Sequence, residues 1–252
     1  MAGSGLWAKV HKWLALVMAI QILFWFATGL FFAVFPIERV RSEHAIAQQQ
    51  RAPVALDAAA AGLQRLAAAG IAPGETIELK TLLGRPVALI GGGQGRPRLY
   101  DLASGRRLSP LPMTYAARIA EADHVGPLRA ARVARITAND SEYRGPLPAW
   151  RIDFEDGAGR SLYVAADTGA VTARRSTLWR TYDFLWGLHI MDWRGHEDFN
   201  NPLLIAATLL ALIVTIAGIV LLPSRLGLTA WWRRRRRTRI SAVRTQSAAP
   251  PA

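Results

Sequence analysis

Two apolar runs constrain this chain more than anything else in it. Trp13 to Phe35 spans 23 residues and Leu203 to Leu222 spans 20, and neither contains a charged side chain. A helix needs about 20 apolar residues to cross the hydrocarbon layer. Backbone in lipid must satisfy its own hydrogen bonds, so each run reads as a spanning α-helix. The stretch between them is rich in Arg, Asp, Gly and Pro and reads as one folded soluble region.

The first run could instead be a secretory signal, and Ala45-Ile46-Ala47 offers a small-residue cleavage pattern. Signal cores are shorter, about 7–15 residues. The cut would also fall beyond Glu38, Arg39, Arg41 and Glu43. An uncleaved anchor is therefore expected. Lys9 and Lys12 precede the first run, while Arg225 and the run Arg233 to Arg237 follow the second. The positive-inside rule puts both flanks in the cytoplasm and the central region in the periplasm of a bacterial inner membrane. The formal net charge of +13 and the arginine tail raise the question of nucleic acid. No recognition fold accompanies the charge, and Trp231 and Trp232 precede it, so membrane lipid is the expected partner. With no cysteine in the chain, disulfides, thiolate metal sites and iron–sulfur clusters are excluded.

In the soluble region, Leu56 to Ala69 reads as a helix stopped by Gly70. Strand-like runs follow at Thr76 to Leu82, Pro86 to Ile90 and Pro97 to Leu102, with Gly91 to Gly93 as a hairpin loop. The order then recurs. Met113 to Ala122 reads as a helix, and Arg132 to Ala138, Ala149 to Phe154 and Ser161 to Ala165 as strands, with Glu155 to Gly159 as the second turn. Leu99-Tyr100-Asp101-Leu102-Ala103-Ser104-Gly105 matches Tyr163-Val164-Ala165-Ala166-Asp167-Thr168-Gly169, and Gly105 and Gly169 are 64 residues apart. The expected fold class is an α+β membrane protein, with two transmembrane helices flanking a periplasmic region of two tandem α-β-β-β units that share a core.

These motifs carry a resemblance. Pro148-Ala149-Trp150-Arg151-Ile152-Asp153-Phe154, the glycine turn, Leu162-Tyr163-Val164 and Asp167-Thr168-Gly169 resemble a PepSY domain, and the earlier unit resembles a more divergent copy. That family usually carries an Asp four residues before the glycine. Asp101 keeps it, and Ala165 replaces it in the second unit. His11-Lys12-Trp13-Leu14-Ala15-Leu16, Leu188-His189 and Gly218 resemble PepSY-associated transmembrane helices. The resulting organisation is a cytoplasmic N-terminus (1–12), a first span (13–35), a helical extension or linker (36–54), PepSY-like units (55–110 and 111–175), an interfacial segment (176–201), a second span (202–222) and a basic cytoplasmic tail (223–252). Larger relatives have four or more spans and include ferric-siderophore reductases that bind haem b. The resemblance thus implies haem-linked electron transfer in iron acquisition, with a periplasmic protein or an iron complex as partner. It also permits another class: a binding or regulatory module that restrains a protease or assists assembly of a membrane complex.

The histidines are where these readings divide. Trp179, Tyr182, Trp186, His189 and Trp193 are spaced 3, 4, 3 and 4 residues apart, one face of a helix. An interfacial helix anchored by tryptophans would use those residues. A haem pocket would use them with His189 as axial ligand and Trp186 as a wall. His44 follows the first span by nine residues and is the same-side partner for His189 if the helix continues past Pro36. His11 belongs to the other face; a homodimer would supply its partner, and Ala207, Ala211 and Thr215 form a small-residue ridge for close helix contact. Gln21, in mid-span, should seek a covered position. A weaker metal alternative is His189, Asp192 and His196, against a plain polar loop in which Asn200-Asn201-Pro202 caps the next helix. His124 reads as a solvated helix-end residue. No nucleophile motif and no nicotinamide or flavin fingerprint is present, so any electrons must come from a partner.

Overall fold

The computed structural model describes residues 3–47, 53–70, 75–91 and 95–225, with side chains from residue 12 to 219 within those ranges. The arginine run 233–237 and most of the glycine loop at 91–93 lie outside them. The described chain forms two units. One holds residues up to Thr28, His189–Asp192 and the chain from Asp198 onward; the other holds Gly29–Leu188 and Trp193–Glu197.

The first unit is built from long apolar helices. Helix α1 runs Gly3–Val34 and contains a span at Lys12–Val34 with mean hydropathy 2.1. Pro36 has no N–H to continue the helix, so α1 stops before it. The last helix, α6, runs Pro202–Arg225 and contains a span at Pro202–Ile219 with mean hydropathy 2.5. Asn201 caps it: its Oδ1 accepts from the Leu204 N–H at 2.9 Å, and Pro202 occupies the first helical position. Each helix has one less exposed face. On α1 it carries Met18, Gln21, Trp25 and Thr28; on α6 it carries Leu204, Ala207, Ala211 and Val214. Gln21 therefore lies on the covered face, as expected, whereas Thr215 of the small-residue ridge is exposed.

The second unit contains the α+β region. A short turn α2 (Ile37–Val40) and a 3-10 turn (Glu43–Ala45) follow α1, so the first helix does not extend continuously to His44. Then come α3 (Leu56–Ala68), β1 (Thr76–Leu82), β2 (Arg85–Gly91), β3 (Arg98–Asp101), α4 (Met113–Asp123), β4 (Ala130–Ile136), β5 (Ala149–Phe154), β6 (Ser161–Ala165), β7 (Val171–Arg175) and α5 (Thr177–His189). Two antiparallel sheets result, ordered β1-β2-β3 and β4-β5-β6-β7. The β1–β2 connection is a two-residue turn with positive φ at Leu83 (51°) and Gly84 (76°), the mirror-image geometry that matches strand twist.

Alternation along β2 divides the interior. Val87 enters a core with Leu82, Leu99, Ile152, Leu162 and Val164, into which α4 inserts Ala116, Ile119 and Ala120. Ala88 and Ile90 face the other way and meet Leu66 of α3 and Leu102. In the second sheet Tyr143, Ala149, Tyr163 and Ala173 form a further cluster. Both sheets thus contribute to one central core, as the need of small units for shared burial predicts.

The 64-residue correspondence appears as matched hydrogen bonds. Gly105 N donates to Asp101 O and Gly169 N to Ala165 O, both at 2.8 Å. Asp101 N donates to Arg106 O and Ala165 N to Ala170 O. Leu102 N donates to Pro86 O and Ala166 N to Pro148 O. Gly105 (φ 70°) and Gly169 (φ 68°) take the same left-handed conformation. The Asp101 carboxylate holds its turn together by accepting from Ser104 N and Ser104 Oγ. Both turns also share the hydroxyl bond, Arg106 N donating to Ser104 Oγ and Ala170 N to Thr168 Oγ1, while Ala165 brings no carboxylate to the second turn.

Three expectations need correction. The second sheet has a fourth strand, β7, which the three-strand reading omitted; its counterpart in the first half is a single bridge between Tyr100 and Arg107. Strand β4 begins and ends two residues earlier than expected, because Asp140 Oδ1 accepts from Glu142 N and Tyr143 N and closes a turn just beyond it. His124 is not solvated: Ile46 bridges to it, and its ring nitrogens are covered, with no hydrogen-bond partner among the described residues.

Gly169 offers a direct check of the shared core. A Cβ there would lie 2.9 Å from Leu82 Cδ2 and 3.1 Å from Leu111 Cδ1, at a backbone angle L-residues avoid. Gly169→Ala is expected to destabilise the fold by about 1–3 kcal/mol, read as a lowered unfolding midpoint; Gly84→Ala, with the same φ problem but open space, should cost less.

Candidate functional site

Helix α5 carries the stripe singled out in the sequence. It starts at Ser176, whose hydroxyl accepts from the Trp179 N–H at 3.1 Å. In the second unit its aromatics pack onto the end of α1. Tyr182 lies 4.7 Å from Phe32 and 6.3 Å from Phe31 by ring centroids, and Trp186 lies 5.8 Å from Phe32, edge-on. Trp179 is covered on one face by the Arg175 guanidinium, 3.8 Å from the ring centre. The helix ends at His189, and Met191 turns left-handed at φ 56°. Trp193 is therefore off the helix and exposed, which corrects its place in the five-residue stripe.

A charged cluster fixes α5 to the second sheet. Arg180 Nε donates to Glu142 Oε1 at 2.7 Å, and its other nitrogens donate to Gly159 O, Ser161 Oγ and Glu142 Oε2. Arg151 of β5 is 3.3 Å from Glu142 Oε2, and the Tyr163 hydroxyl donates to the same oxygen at 3.1 Å. The Arg180 hydrogen bond, aided by both guanidinium charges, holds the Glu142 carboxyl below its ordinary value near 4.5. Burial raises the Tyr163 hydroxyl in turn, so it stays a donor. Tyr163 stacks at 4.7 Å on Tyr143.

His189 belongs to the first unit, where α1 receives it. Thr28 Oγ1 is 2.6 Å from His189 Nδ1, and the Trp25 indole N–H donates to His189 O at 2.9 Å. Thr28 is 3% exposed, and its hydroxyl also lies 2.9 Å from Phe24 O. When that hydroxyl gives its proton to Phe24 O, Nδ1 must be the protonated ring nitrogen, and the lone pair sits on Nε2. Burial pushes the His189 pKa below its ordinary value near 6.5, which favours the neutral ring. A neutral imidazole with a hydrogen-bonded Nδ1–H is the form that metal-ligating histidines take. Thr28 and Trp25 were not anticipated. Their signal was in the sequence: Gln21, Trp25 and Thr28 place polar atoms along one face of an otherwise apolar helix.

The remaining predicted residues are dispersed. His44 is exposed in the 3-10 turn of the second unit, while His189 belongs to the first. His11 lies within α1, but its side chain is outside the described residues. His196, held left-handed at φ 56°, puts Nδ1 2.6 Å from Asp183 Oδ2, and it packs so closely over Gly187 that no Cβ would fit there. Asp192 Oδ2 accepts from Asp198 N. Among the described residues no three His, Asp or Glu side chains gather as a metal ion would need, and His189, Asp192 and His196 do not form such a group.

The family model for the PepSY-associated TM region matches residues 8–244. The chain belongs to that family and is a membrane protein with two spanning helices among its described residues. No match was found among the curated proteins or among the solved structures.

The Glu142 cluster makes the seating of α5 sensitive to acid. The folded pKa is depressed, so this contribution is complete above the unfolded value near 4.5 and is lost as pH falls through the lower folded pKa. Acid titration followed by tryptophan fluorescence should show a transition below pH 4.5. Glu142→Gln should weaken the fold at neutral pH and flatten that transition.

Proposed function

We propose that this chain is a bacterial inner-membrane protein with cytoplasmic termini and a periplasmic α+β region, and that it holds haem b for electron transfer in iron acquisition. The observation that carries the reading is the 2.6 Å contact of Thr28 Oγ1 with His189 Nδ1 beside a spanning helix; with the hydroxyl donating to Phe24 O, it leaves Nε2 as the ligating nitrogen. The donor set suits the group: a neutral imidazole, with Trp25 6.4 Å from the His189 ring by centroids. His189 would be one axial ligand. His44, or His11 brought together by a second copy of the chain, is the proposed source of another, and Trp186 is the proposed aromatic wall. When bound, the haem would supply one-electron chemistry, and a partner would supply the electrons.

The chain's own part is positional. Thr28 would orient the ring through Nδ1, and Trp25 holds the helix end by donating to the His189 carbonyl. Full-length protein purified in detergent after expression with ample haem should show a Soret band. His189→Ala should remove it or convert it to a high-spin spectrum. Thr28→Val should keep the haem but raise its reduction potential, since the imidazole loses the hydrogen bond that makes it a stronger donor. A colourless wild-type protein that co-purifies with a periplasmic protein would sink this reading in favour of a binding or regulatory module.

A further inference from the structure

Near the end of the first span, the second unit contains a groove that the haem reading does not use. A cavity of about 860 Å³ opens between β7 and the segment Arg41–Ala47, walled by Arg41, Arg174, Arg175 and Trp179. A second cavity of about 300 Å³ shares Arg41 and Trp179 and continues under Ile37, Val40, Tyr182 and Trp186. The first part is rich in arginine; the second is mostly apolar and aromatic, with the Asp183 carboxylate, paired with His196 Nδ1, in its wall.

The cations differ in what they already do. Arg174 is committed to Asp123 through two bonds of 2.6 Å. Arg175 donates Nε to Glu142 O and Nη1 to Arg174 O, while Nη2 makes no hydrogen bond among the described residues. The Arg41 side chain is exposed and makes no hydrogen bond or ion pair among the described residues. Along the whole groove Arg41, Arg174 and Arg175 outnumber the carboxylates Glu43 and Asp183, and Asp183 is paired with His196. The groove therefore favours a single negative charge joined to an apolar body.

Position identifies the source. The span Lys12–Val34 is 23 residues long, about 35 Å at 1.5 Å per residue, enough to cross a core of about 30 Å. Ile37, Val40 and Arg41 follow within seven residues of its end, at the depth of the lipid headgroups. Tryptophan and tyrosine prefer that depth, and basic pockets there take anionic headgroups. We propose that this groove binds one anionic phospholipid of the adjoining leaflet, with its phosphate at Arg41 and Arg175 and its acyl chain against Ile37, Tyr182 and Trp186.

The test uses the full chain in nanodiscs containing brominated phosphatidylglycerol or brominated phosphatidylcholine at equal mole fraction, with tryptophan quenching as the readout. Brominated phosphatidylglycerol should quench about twofold more than brominated phosphatidylcholine, in line with a local charge preference of this kind. Arg41→Glu should abolish that excess with an unchanged circular dichroism spectrum. Arg39→Glu, a nearby exposed charge outside the groove, should keep it. Soluble glycerol phosphate at millimolar concentration should not displace the lipid. Equal quenching by the two lipids would overturn the proposal. So would loss of the excess in both arginine variants, which would mean general surface charge, or displacement by glycerol phosphate, which would mean a soluble-anion site.

Discussion

The α+β region depends on a core that neither sheet can build alone. A three-stranded and a four-stranded sheet are each too small to bury a stable interior. Here they share one: α4, which packs on the second sheet, brings Ala116, Ile119 and Ala120 into the same cluster as Val87 and Leu99 of the first sheet and Ile152, Leu162 and Val164 of the second. The opposite faces are then covered separately, by α3 on the first sheet and by the stacked tyrosines on the second. A direct tie between the halves is Lys80 Nζ donating to Thr168 O, while the Trp150 indole donates to Leu111 O at the start of the second half.

Much of this was legible in the sequence because it rests on local periodicity. The spans follow from the absence of charge over long runs, and β1 and β5 have the boundaries their alternation suggests. The matching turns at Gly105 and Gly169 were visible as a recurring tail, and both keep a left-handed glycine. Strand β7 was missed because the first half, used as the template, has only the Tyr100–Arg107 bridge in that place. Val171-Thr172-Ala173 could have signalled it, since a β-branched pair directly after a turn glycine is strand-like.

The site was only partly legible, for a physical reason. Residue type made His189 a candidate, but its hydrogen-bond partner, Thr28, is 161 positions away in sequence. His196 entered only in the weaker metal alternative with His189 and Asp192. Its pairing with Asp183, together with the bare surface of Gly187 beneath it, shows instead how the polar loop folds back onto α5. Trp193 joined the stripe by spacing alone and left it when Met191 turned the chain. Helical phase predicts a face only as far as the helix continues.

The joint between β7 and α5 is a single residue. Arg175 ends the strand, Ser176 caps the helix and Thr177 begins it. Nothing there can absorb a rotation, so the sheet sets the azimuth of α5 as a keyway sets a shaft. Each residue of a helix advances about 100° around its axis. A one-residue insertion taken into the first turn of α5 would turn Tyr182 and Trp186, relative to the sheet, by about that angle. The length of the connection, as much as any side chain in it, determines which face the helix presents.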